Sequence, residues 1–262
     1  MSQLIDNLNT IMSVKSDIKA AIENKGVDMT GVSFPGYASK IGEISGGGGW
    51  DQKSVTEGTI EIINLDNSAS FVASGVFLND KNIQIVNLPY ATSIGYSAFQ
   101  SCISLTQVSL PMCSYIGNNA FHYCSSLSQV SLPMCSYIGG NAFRNCSSLS
   151  QVSLPVCNHI ADGIYAGGGL NTSGTFYNCS LLTQVDLPMC SYIGADGFRN
   201  CRSLSIITIG YSSICSLKNI NAFTNTQITS STGSIYVPAS LVDSYKSANN
   251  WSYFSNQIFP IE

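Results

Sequence analysis

Charge is scarce in this chain: of 262 residues only 10% are Lys, Arg, Asp or Glu, where about 25% is ordinary for a soluble domain. Eleven Lys plus Arg stand against fifteen Asp plus Glu, net −4, with no basic block. That balance excludes the phosphate neutralisation on which nucleic-acid binding rests. Histidine is nearly absent, with two copies and no carboxylates gathered in sequence around either, so acid–base or metal chemistry has little to work with and no cofactor is expected. No C-x-x-C spacing announces a zinc site. No apolar run reaches the roughly 18 residues of a membrane span, so no membrane insertion is expected. Asp6 and Asp17 interrupt the first twenty residues, so no export signal is expected there either. The exposed surface must be made of Ser, Asn, Thr, Gln and Gly.

What is present is a repeat. The ten cysteines begin at 102, 113, 124, 135, 146 and 157, five successive steps of 11 residues, and such regularity is read before any local structure. Leu88-Pro89, Leu110-Pro111, Leu132-Pro133 and Leu154-Pro155 follow one another at 22, and Leu187-Pro188 comes after 33, so the period is 22 with two Cys in each. Residues 105–126 and 127–148 differ at only four positions, which points to recent duplication.

Within one period the apolar positions run Leu105, Val108, Leu110, Cys113, Ile116, Ala120, Phe121 and Cys124. The alternation at Val108 and Leu110 predicts a short strand, and Pro111 ends it because proline cannot donate to a ladder. One strand per coil is expected, in a parallel sheet. Stacking at about 4.8 Å turns each buried position into a ladder of like residues along the axis. The phenylalanines at 77, 99, 121, 143, 176, 198 and 223 form one such ladder and count about seven coils. Two more are made of Cys, read as reduced, buried thiols acting as small hydrophobes. The terminal coils carry Asp80 and Thr226 in a Cys slot, as suits coils that meet solvent on one side.

The run Ile-Gly-x-x-Ala-Phe-x-x-Cys-x-x-Leu-x-x-Val-x-Leu-Pro, from Ile116 to Pro133 and again from Ile138 to Pro155, resembles the BspA-like class of leucine-rich repeats. The stretch from Ile235 through Trp251 to the closing Ile258-Phe-Pro-Ile resembles the C-terminal cap that follows such repeats. The resemblance implies an α/β solenoid, a right-handed leucine-rich coil with concave parallel strands, a surface location and recognition work rather than chemistry. The expected division is an N-terminal cap over 50–76, repeats over 77–232 and a C-terminal cap over 233–262.

Three sets of residues are candidates for contact with a partner. Between Ile160 and Phe176 the chain is 11 residues longer than its neighbouring coils. Such insertions often lie on the binding face, which singles out Asp162, Tyr165, Asn171 and Thr172. The alternative is a tolerated surface insertion. On the strand face, Gln107, Gln129, Gln151 and Gln184 stack, as do Ser109, Ser131, Ser153 and Asp186. This nearly uncharged ribbon of amides and hydroxyls suits a glycan or another neutral polar surface, unless the ladders simply bond to each other. On the outer edge, His122, Tyr123, Arg144 and Arg199 occupy exposed-type slots that vary between coils, which either tune a partner or are neutral. A Cys–His nucleophile is not expected from such slots, and Asp162, Asp186 and Asp196 are too scattered for a hydrolase. The chain is therefore read as non-enzymatic.

Residues 1–45 are a different object. They hold nine of the 26 charged residues, and this composition shift marks a boundary, with the glycines at 46–49 as a linker. Leu4, Leu8, Ile11, Ile18 and Ile22 follow a heptad seam broken by Lys15, which predicts a helical module that oligomerises, with a trimer favoured, or docks. The alternative is short helices packed on one another. The segment from Val14 to Val27, with Phe34, Tyr37-Ala38 and Lys40-Ile41, resembles a module that precedes variable domains in phage tail-fibre and baseplate-associated proteins. That resemblance implies a homo-oligomeric virion protein, joined to other virion proteins through residues 1–45, with the solenoid exposed to a host surface glycan or protein. The lack of an export signal agrees with it, since virions leave by lysis. The alternatives are a head-fibre or capsid decoration that binds nothing, and a bacterial BspA-like surface or cytoplasmic scaffold protein.

Overall fold

The computed structural model describes residues 71–163 and 173–262, together with the backbone of three short strands, Val55–Thr56, Thr59–Ile60 and Ile62–Asn64. The heptad positions Leu4, Leu8, Ile11, Ile18 and Ile22, and the glycine linker, lie outside the described residues. Val55–Thr56 pairs antiparallel with Thr59–Ile60. The other described strands belong to stacked coils.

Each coil contributes two strands, not the single one expected. A nine-stranded parallel sheet runs from Ile62–Asn64 through Ile85–Asn87, Gln107–Ser109 and their equivalents to Ile258–Pro260. A seven-stranded parallel sheet runs from Phe71–Val72 through Tyr115–Ile116 and its equivalents to Ser216–Leu217. The second strand has its own two-residue alternation, Tyr out and Ile in, too short to stand out beside the Val-x-Leu stretch. Pairing is in register wherever the period is 22: Gln107 faces Gln129, which faces Gln151. Ile62–Asn64 already pairs with Ile85–Asn87, so coiling begins ahead of Phe77.

The third side of the coil is a turn held by backbone conformation. The residue two after each Phe of the ladder takes left-handed φ, as does the residue two before it in five of the seven, among them Asn119 (57°), Tyr123 (61°), Asn141 (60°) and Asn145 (59°). Asn tolerates this region because its side chain is short and polar, and five of the seven positions after Phe are Asn. The turned amides point along the axis, as where Tyr123 N–H donates to Arg144 O and Asn145 N–H to Tyr177 O. The coils are thus bonded to one another on three sides.

The core is a set of ladders. Consecutive Phe rings from Phe77 to Phe223 stack with centroids 5.0 to 5.9 Å apart. All ten Cys are free and buried. They are more than small hydrophobes: Cys102, Cys124 and Cys146 each donate S–H to the Phe carbonyl of the preceding coil at 3.1 Å. Cys113 and Cys135 donate to the carbonyl two residues on at 3.2 Å. The glycine of Ile-Gly is dictated by stacking, since a Cβ on Gly117 would sit 2.8 Å from Ile94 O and from the carbonyl carbon of Gly95.

The far end is closed by a cap. Trp251 and Phe254 lie on Phe223, with centroids at 6.0 and 5.4 Å. Cys215 offers its N–H to Tyr245 Oη at 2.7 Å and its carbonyl to Trp251 Nε1 at 2.6 Å. Thr226 therefore does not meet solvent as the repeat pattern suggested: it is 3% exposed and its hydroxyl donates to Phe223 O.

Candidate binding groove

The outward residues of the nine-stranded sheet form a groove of about 820 Å³. All eight strand-face residues singled out from the sequence, Gln107, Ser109, Gln129, Ser131, Gln151, Ser153, Gln184 and Asp186, line it. The alternation places them: in each strand the central Val is buried and its neighbours point out. In-register pairing then brings four amides into one row and the hydroxyls with Asp186 into another.

The hydrogen-bond inventory separates two kinds of polar ladder here. A lip of Thr106, Ser128, Ser150 and Thr183, which drew no role from the sequence, borders the amide row. Thr106, Ser128 and Ser150 spend their hydroxyls on the carbonyl of the preceding coil at 3.0 to 3.3 Å. The Gln row does not bond to itself: among the described residues Gln107, Gln129 and Gln151 have no side-chain partner and are exposed. Gln184 is held, its Nε2 donating to both carboxylate oxygens of Asp186 at 3.2 Å. Three free amides, three free hydroxyls and one carboxylate, hydrogen-bonded by Gln184, offer donors and acceptors with a single charge among them. The 22-residue recurrence of Thr/Ser before the Gln was the signal for the lip.

The outer edge is different from the expectation. His122, Arg144 and Arg199 are half-buried rather than exposed, and of the four only Tyr123 stands out, at 47%. His122 stacks on Tyr123 at 4.4 Å, Arg144 lies over the Tyr177 ring at 5.2 Å, and Arg199 pairs with Asp196 at 3.2 Å. Burial, with the Arg144 charge beside it, pushes His122 down to about 4. The side chains turn inward because the left-handed turns tuck this side against the next coil. Their nitrogens His122 Nε2 and Arg144 Nε are shut off from water, so this edge carries structure more than contact.

Of the insertion residues, Tyr165, Asn171 and Thr172 lie outside the described residues. Asp162 is placed, in a bridge with Gly174 at the base of the insertion. Its carboxylate accepts from Tyr192 Oη at 2.9 and 3.0 Å and from Ala195 N–H at 2.7 Å. It ties the inserted coil to the next one and has little left for a ligand. Burial pushes Cys102 and Cys135 up to about 12 and Cys113 to about 11, so the reactive thiolate of these three is suppressed at neutral pH. Among the described residues no three His, Cys, Asp or Glu side chains gather as metal ligands, and no helix is long and apolar enough to cross a membrane.

Set beside known proteins, residues 53–170 and 172–258 match the model of the BspA type leucine rich repeat region, in six copies. No curated protein matches. A leucine-rich repeat protein of T. pallidum has a similar fold, with a TM-score of 0.54 and 24% identity over 66% of this chain and 87% of that one. A leucine rich cell surface protein from Faecalibacterium prausnitzii A2-165 is 26% identical with a TM-score of 0.45, over 55% of this chain and 37% of that one. A leucine-rich repeat protein from Bacteroides ovatus ATCC 8483 is 20% identical with a TM-score of 0.42, over 74% of this chain and 58% of that one.

Proposed function

Because the chain belongs to the BspA-type leucine-rich repeat family, we propose that it is a non-enzymatic adhesion protein, a fibre-like component of a phage virion whose groove meets a host surface glycan or protein. The observation that carries the binding role is the set of Gln107, Gln129 and Gln151 amides, exposed and unbonded, lying in one groove beside the free hydroxyls of Ser109, Ser131 and Ser153. A polar row with spare hydrogen-bonding capacity is poised for a polar ligand, because those bonds replace water without leaving buried groups unpaired. The virion assignment rests on the resemblance of residues 1–45 to a phage tail-fibre and baseplate-associated module, followed by a glycine linker.

In this reading residues 1–45 form a homotrimer through Leu4, Leu8, Ile11, Ile18 and Ile22, or dock on other virion proteins. Several grooves then act together, and linkage raises effective concentration without any new contact. The test uses labelled full-length protein clustered on beads and a panel of bacterial strains. Binding to at least one strain is expected, with loss in Gln129→Glu/Gln151→Glu, which sets two like charges side by side in the groove. No binding to any strain overturns the adhesive role. In the same preparation, Leu8→Asp/Ile11→Asp is expected to divide the solution mass by three.

A further inference from the structure

We infer that a charge-free belt on the corner between the two sheets docks a second copy of this chain. The belt is built from the positions of Pro111, Met112, Ser114 and Tyr115, repeated over five coils from Pro89 to Tyr192. Those 20 positions contain no Lys, Arg, Asp or Glu. Four of the five residues in the Met112 row, Tyr90, Met112, Met134 and Met189, are 47 to 53% exposed, and Val156 is 38% exposed.

The geometry explains why these side chains cannot hide. Leu110 and Cys113 point into the core and are buried, so the Pro-Met pair between them must turn outward at the corner. In the next row the hydroxyls are spent: Ser114, Ser136 and Ser191 donate to Thr92 O, Ser114 O and Asn158 O at 3.0 to 3.2 Å, while Asn158 is exposed. Beyond it, Tyr115, Tyr137, His159 and Tyr192 stack ring on ring at 4.6 to 5.1 Å, which makes a continuous aromatic rail along the axis. A surface rich in Met and Tyr, its own 20 positions without charge and the Asp162 carboxylate held by Tyr192 at its end, has the composition of a protein interface core. Other exposed apolar side chains, such as Leu78, Ile103 and Leu181, lie outside the belt; the belt repeats over five coils without a charge of its own, a patch of the kind that marks a partner.

Three features identify that partner as another copy. The ridges recur once per coil, and a second solenoid laid against the first has ridges at the same spacing, so each Met drops between two of its neighbour's. The chain's net charge of −4 is carried elsewhere, since none of the 20 belt positions is Lys, Arg, Asp or Glu, so two belts meet without like charges of their own. The area is also sufficient: about half of each side chain in the Met row, with the prolines beside it, offers on the order of 600 Å² per copy, and two copies together reach the roughly 1,200 to 2,000 Å² of a stable interface. A two-fold axis makes the contact self-complementary and closed.

The test is the mass of the full chain by sedimentation velocity, beside Met112→Glu/Met134→Glu/Met189→Glu. These positions are exposed, so the variant is expected to keep the far-UV circular dichroism and Tm of the parent. The mass is expected to halve, whether the parent is a dimer or, with residues 1–45 trimerising, a pair of trimers. A parent and variant of equal mass overturn the proposal. So does peroxide oxidation of Met112 and Met134 that proceeds at the same rate in dilute and concentrated parent protein, since docking shields both. Adhesion through the groove is read by the bead assay and is untouched by either outcome.

Discussion

The groove and the outer edge are two sides of the same coil, and both are lined with repeated polar residues. They differ in whether those residues have hydrogen-bonding capacity left. On the outer edge Asn178 Nδ2 donates to Asn145 Oδ1 at 2.9 Å and Asn225 Nδ2 to Asn200 Oδ1 at 2.7 Å, and the turned backbone amides are spent on the next coil. In the groove the hydroxyls of the lip are spent in the same way, while Gln107, Gln129 and Gln151 remain open. A ladder whose bonds close between coils is mortar, and a ladder that leaves them open is a surface for something else. The comparison also orders the consequences of substitution.

The largest effect belongs to what both sides lean on. Phe143→Ala removes a ring stacked on Phe121 and Phe176 at 5.3 Å on either side, and a cost of about 3–5 kcal/mol is expected in urea unfolding. Gly117→Ala comes next, because the new Cβ meets backbone rather than a yielding side chain. About 1–3 kcal/mol is expected, and a value near zero would show that the coils do not stack this closely.

Alkaline pH attacks the interior of both sides through the thiols. Cys102 and Cys135 are held protonated in the fold, pushed up to about 12 from an ordinary 9.0 by burial. Because the folded value lies above the unfolded one, their contribution is fully present below pH 9 and is lost as pH rises towards 12. The urea midpoint should fall across that window, and a flat profile would mean that the thiols are not desolvated.

Tyr123 is the weak point of the outer edge. It holds φ 61° where most coils place Asn, and an aromatic residue is strained there by about 1 kcal/mol. Tyr123→Asn is expected to raise stability by about that amount, and to extend the amide ladder towards Asn145. An unchanged or lower urea midpoint would place the strain elsewhere. The smallest effect is reserved for the groove: Gln151→Ala removes an exposed side chain with no partner and should shift stability by less than about 0.5 kcal/mol. A larger loss would make the Gln row mortar after all.

Much of this was legible in the sequence, for reasons that particular residues make clear. The 22-residue period reads directly because in-register stacking puts like on like, so Phe99, Phe121 and Phe143 had to form a ladder. The eight groove residues were legible because strand alternation assigns Gln and Ser to the side opposite Val. The second strand was not, since Tyr115–Ile116 is two residues long and two residues make no pattern. The inward tuck of His122 and Arg144 was not legible either, because the left-handed turn around Phe is set by tertiary bonds. Asp162 was visible as the start of an insertion, but its engagement by Tyr192, 30 residues away, was not.

The sequence by itself determined the coil, its period and the contents of each ladder, because burial and alternation act locally and repeat identically. Only the tertiary structure decided which polar ladders are spent and which are free. That depends on whether a carbonyl of the next coil lies within about 3 Å of the hydroxyl or amide, a distance between chain segments that no single repeat contains.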